Sequence, residues 1–77
     1  MISKDVQIRR EPAELFRILK FEGLVEGGGA AKQVIDAGEV LVNGEVETRR
    51  RRKIMAGDEI EFADHLLKIS LAADPAE

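Results

Sequence analysis

Glu39–Thr48 reads EVLVNGEVET, and the pair at its centre decides the fold. Val40 and Val42 alternate with other residues up to Asn43-Gly44, and Val46 follows the pair. Asn and Gly tolerate positive φ at both central positions of a type I′ turn, whose twist matches that of the strands it joins. The stretch is therefore predicted to be a β-hairpin. Toward the C-terminus, AGDEIEF turns at Ala56-Gly57-Asp58 and continues as a strand with Ile60 and Phe62 inward. ADHLLKISL then turns near Asp64-His65 and returns as a last strand with Leu67, Ile69 and Leu71 on one face.

Upstream of the hairpin the apolar period changes from two to between three and four. LVEGGGAAKQVIDAGEV predicts a helix from about Gly28 to Ala37, with Ala31, Val34 and Ile35 as its inner face and Gly38 as its stop. EPAELFRILKFEG predicts another, with Pro12 in its first turn, Glu11 and Glu14 at its positive end and Gly23 as its stop. Leu15, Ile18 and Leu19 form its buried stripe, while Arg17 and Lys20 lie off it; Lys32 is likewise outside the stripe of the second helix. A short strand is expected over Asp5–Arg10. The order strand, helix, helix, four strands predicts an α+β domain in which a helix pair packs on a small, mostly antiparallel sheet. A chain of 77 residues has room for one such domain, with its core over about 5–71 and a frayed tail over 72–77.

Composition excludes several function classes. There are no cysteines, hence no disulfides or thiolate metal sites. No apolar run approaches the roughly 18 residues of a membrane span, and MISKDVQIRR has no signal-peptide apolar region, so a cytoplasmic protein without membrane contact is expected. Catalysis finds little support: the single histidine, His65, sits in an expected turn, and Ser3 and Ser70 stand in plain contexts. Glu59, Glu61 and His65 share strand parity, but a solvated sheet face explains them better than a metal does. EGGGAAK lacks the spacing of a nucleotide phosphate loop. The chain is expected to be a non-enzyme with no cofactor and no metal.

The formal net charge of −3 argues against a nucleic-acid binder, yet the positive charge is unevenly placed. Of twelve Lys and Arg residues, five are consecutive: Arg49, Arg50, Arg51, Arg52 and Lys53. Such a run can be a solvated loop or a localisation tract. Here it falls between strands rather than in a tail, so the fold fixes its direction, and four of its members carry the planar fork that matches phosphate oxygens. The three aromatics, Phe16, Phe21 and Phe62, read as core, which removes a stacking platform and leaves backbone and shape contacts to folded or duplex RNA.

Ala31, Ile35, Gly38, Val40, Val42, Asn43, Gly44, Gly57, Asp58 and Ile60 together resemble the pattern of the RNA-binding domain named after ribosomal small-subunit protein four. The similarity runs over about Leu15–Leu71, and LKFEG, VETRRRRKIMAG and FADH are similar to small stand-alone bacterial YbcJ-type members. The resemblance implies an αL-type fold, two helices on a bent sheet. It also implies a non-catalytic module that binds structured RNA, typically ribosomal or transfer RNA. A monomer is expected, with structured RNA and ribosome-associated proteins as its partners. Where that family often has Arg, this chain has Glu14 and Gly28; the family's basic residue after the helix-two Ala is retained as Lys32. The expected RNA-binding set is Arg49, Arg50, Arg51, Arg52 and Lys53 as a phosphate clamp, extended by Lys32, Lys20 and Arg17. The competing reading is a protein-interaction module that docks an acidic partner in a ribosome or RNA-processing context.

Overall fold

The Asn43-Gly44 turn has the backbone its sequence demands, with φ of 53° and 83° at the two residues. In a computed structural model that describes residues 1–72, it joins β3 (Val40–Val42) to the two-residue β4 (Glu45–Val46). β3 also pairs antiparallel with β6 (Glu59–Phe62), and β6 with β7 (His65–Leu71). β1 (Ile2–Ile8) closes the other edge by pairing parallel with β7, from Ile2 opposite His65 to Ile8 opposite Leu71. The resulting five-stranded sheet has the order β1-β7-β6-β3-β4 and is antiparallel except at that one pair. The α+β architecture and the helix pair are as the sequence predicts.

Both helices end as their glycines require. In α1 (Leu15–Phe21) the Gly23 and Leu24 N–H groups donate to the Lys20 and Leu19 carbonyls; in α2 (Gly28–Asp36) Gly38 and Glu39 donate to Ile35 and Val34. Each is a Schellman stop, with Gly23 at φ 72° and Gly38 at φ 78°. Leu15, Ile18 and Leu19 from α1 and Ala31 and Ile35 from α2 join Val6, Ile8, Val40, Val42, Ile54, Ile60, Leu67 and Ile69 in one buried cluster. Val34 is half-buried against it, as are Phe16 and Phe62. No helix among the described residues is long and apolar enough to cross a membrane.

Five expectations need correction. The first strand is Ile2–Ile8 rather than Asp5–Arg10, because its register is set by β7 and the chain bends away at Arg9. α1 begins at Leu15, not at Pro12: Ala13–Glu14 (β2) is extended and pairs antiparallel with Lys53–Ile54 (β5), forming a second, two-stranded sheet. Glu11 and Glu14 therefore do not occupy a first helical turn; Glu11 instead accepts a hydrogen bond from the Ala56 N–H at 2.6 Å. Leu71 is exposed at the end of the β1–β7 ladder, although it shares parity with the buried Leu67 and Ile69. Phe21 is 76% exposed rather than core, since it falls roughly 240° around α1 from Leu15, on the side of Arg17. Of the expected tail, residues 73–77 lie outside the described residues.

Candidate nucleic-acid interface

Thr48–Arg52 leaves the hairpin and returns as β5, and its backbone has a structural task. The Arg52 N–H donates to the Arg49 carbonyl at 3.2 Å, making a turn. Leu15 N–H then donates to the Arg52 carbonyl at 3.0 Å, and Phe16 N–H to the Arg50 carbonyl at 3.1 Å. Glu14, the residue before α1, gives it no side-chain cap, so the loop satisfies donors that would otherwise be left unpaired. The run of like charges is thus fastened to the start of α1 by its carbonyls, and its side chains point outward from a fixed frame.

One of the carboxylates that organise those side chains is buried. Glu47 is only 6% exposed, and its carboxylate accepts from Arg49 N–H (3.1 Å), Arg49 Nε (2.9 Å), Arg49 Nη2 (3.0 Å) and Arg52 Nη1 (2.6 Å). A carboxylate this deep is tolerable only with such partners. The Arg49 side-chain hydrogen bonds outweigh desolvation and, with those of the Arg49 N–H and Arg52, lower its pKa to about 2. Arg50 is turned the other way and forks onto Asp36 at the end of α2, at 2.7 and 3.3 Å. That contact holds the Asp36 carboxyl below its usual range.

Asn43 contributes more than its turn. Its Nδ2 donates to Asp58 Oδ1 at 3.0 Å and its Oδ1 accepts from the Glu59 N–H at 2.9 Å. Asp58 Oδ2 in turn accepts from the Met55 N–H at 2.8 Å. The hairpin turn and the Gly57-Asp58 turn that follows the basic loop are thereby locked together.

The expected cations are only partly assembled. Arg49, Arg51, Arg52 and Lys53 line one open concavity of about 590 Å³. Arg51 is the most exposed of the four loop Arg residues, with a loose contact to Glu14 at 3.7 Å. Arg17 and Lys32 sit over the Phe16 ring, 5.7 and 5.3 Å from its centroid, which places a cation from each helix near the loop. Arg17 also pairs with Glu14 at 2.9 Å. Lys20 stands apart, in the last turn of α1, about 8 Å along the axis from Leu15 and beside Phe21. Arg50 faces Asp36 instead of the concavity. Among the described residues, no group of three or more His, Asp or Glu is placed to hold a metal ion.

This geometry accompanies an unambiguous kinship. A family-wide sequence profile described as the S4 domain matches residues 6–70. The chain belongs to the S4 domain family. It is 48% identical over 56 residues to "Putative RNA-binding protein YbcJ" of Escherichia coli, covering 73% of this chain and 80% of that one. It is 37% identical over 61 residues to "Probable ribosome maturation protein RlbA" of Bacillus subtilis, covering 79% and 86%. The solution structure of YbcJ from E. coli, described as revealing an αL motif involved in RNA binding, superposes with a TM-score of 0.61 at 40% identity, over 91% of this chain and 87% of that one. The matched residues 6–70 contain the Arg loop, the β2–β5 pair and the helix pair.

Sequence reading missed two residues of this site. Glu47 left one signal, an acid two positions before an Arg run. Glu14 reads in sequence only as a departure from the family pattern; in the fold it is the acid shared by Arg17 and Arg51.

Proposed function

We propose that this S4 domain is a non-catalytic module that binds structured RNA, ribosomal or transfer RNA, through its phosphate backbone. The observation that carries this reading is the convergence of Arg49, Arg51, Arg52 and Lys53 on one open concavity. Lys32 and Arg17, held on Phe16, extend that face across both helices. The names borne by YbcJ and RlbA support the same class of partner. Phosphates reach Arg51 and Lys53 first, because Arg49, Arg50 and Arg52 are each engaged by a carboxylate at 2.6–2.9 Å, whereas Arg51 has only its looser 3.7 Å contact with Glu14. Those three present their remaining N–H donors from fixed positions, which reduces the ordering cost of binding.

The test is a salt series with a folded ribosomal RNA fragment, on the native chain and on Arg51→Glu/Lys53→Glu. About three to six phosphate contacts give a slope of log affinity against log salt of roughly −0.7 to −0.9 per contact. The double variant is expected to bind at least tenfold more weakly with a shallower slope, while circular dichroism shows it still folded. Weak, salt-insensitive binding that ignores the double charge reversal sinks the proposal. So does a partner set, pulled from lysate, that survives nuclease digestion intact.

A further inference from the structure

A second surface carries the aromatic that does not join the core. Phe21 forms one wall of a groove of about 680 Å³ between β1 and α1, lined also by the apolar Ile8 and Pro12 and by Arg9, Arg10 and Arg17. Phe21 is 76% exposed, and what distinguishes it from other exposed apolar residues is its place in a groove that combines an apolar floor with arginines. Lys20 Nζ, outside the groove lining, lies 5.8 Å from the ring centroid. Two carboxylates also line the groove, Glu14 and Glu22, but Arg17 and Lys4 already engage them at 2.9 and 2.7 Å. Arg9 and Arg10 are exposed and have no ion-pair partner among the described residues.

The groove also has a direction. Glu14 receives Arg17 from the groove side and Arg51 from the basic loop, so the groove begins where the proposed RNA face ends. A strand leaving a folded RNA on that face enters a channel with cations on its rim and an aromatic ring at its wall. An exposed ring stacks any base, and neighbouring cations hold the connecting phosphates. Resting on the RNA-binding reading above, we infer that this groove takes an unpaired extension of the bound RNA, with a base on Phe21 and phosphates on Arg9, Arg10 and Arg17.

The experiment compares one RNA hairpin, blunt or carrying about six unpaired nucleotides at its 5′ or 3′ end, a span that one small domain can track. Each is titrated with the native chain, Phe21→Ala, Phe21→Tyr and Arg9→Glu/Arg10→Glu. An extension at one end is expected to tighten native binding about tenfold. Phe21→Ala and the double reversal should lose that gain yet bind the blunt hairpin as before, and Phe21→Tyr should keep it. The inference is overturned if neither extension adds affinity, or if Phe21→Ala weakens blunt and extended hairpins equally. It also falls if an oligoglutamate peptide, rather than the extension, binds in a Phe21-dependent way. Failure of the blunt hairpin to bind at all overturns the RNA-binding reading itself, a result distinct from the loss of the extension effect alone.

Discussion

Glu47 shows how one residue turns a repulsive run into an ordered one. Its carboxylate takes four hydrogen bonds from Arg49 and Arg52, so two of four adjacent guanidinium groups have a fixed counter-charge. A folded-state pKa of about 2, below the usual 4.5, means that the unfolded chain takes up the proton first as pH falls. The stabilisation is fully present above about pH 4.5 and is lost as pH falls toward 2. Its size is on the order of 1–3 kcal/mol, reduced because Arg49 is largely in water. Glu47→Gln is therefore expected to cost about that much at pH 7 by urea unfolding, with the difference from the native chain vanishing near pH 2. A constant difference across that range would show that packing, not charge, accounts for Glu47. Asn43-Gly44 and the two stop glycines were legible in sequence because positive φ is a local requirement that few residues meet. Glu47 was not, because its partners are identified only once the loop has folded back.

At the scale of elements, the two-residue β2–β5 ladder couples the basic loop to α1. It is too short to leave a periodic signal, and its partners are about forty positions apart in the chain, so Pro12 looked like a helix start. Ile54, fully buried in β5, is the apolar anchor of that ladder. Ile54→Val should cost about 0.5–1.5 kcal/mol and Ile54→Ala about 2–5. If β5 holds the loop against α1, the two variants should also speed exchange of the Leu15 and Phe16 amide protons, which donate to loop carbonyls. Native-state hydrogen exchange reads this directly. Equal acceleration of the β6–β7 amides would mean that Ile54 stabilises the whole core and that the loop is held by something else. Phe21 belongs to this scale too: the stripe of Leu15, Ile18 and Leu19 already placed it off the core face, but an aromatic at the end of an apolar helix invites a core assignment.

Across the whole molecule, twelve cations face fifteen carboxylates, and function depends on where the two are separated. The described residues concentrate cations along the basic loop and both helices, but Glu14 interrupts that face by engaging Arg17 and, more loosely, Arg51. If the face meets phosphate, Glu14 is a brake on affinity, placed at the start of α1 between Arg17 and Arg51. Glu14→Arg removes the brake, releases Arg17 and Arg51 and adds one phosphate contact. A cation at the start of α1 costs only about 0.3–1 kcal/mol of stability through the helix dipole. Affinity for a folded RNA is expected to rise about tenfold near 0.1 M salt, with the salt slope steeper by about 0.7–0.9 for the added contact. Fluorescence titrations at several salt concentrations measure both. An unchanged slope with higher affinity would assign the gain to general charge rather than to a contact at this position. No gain at all would remove the start of α1 from the interface and shift the docking face toward Lys53 and the far side of the loop.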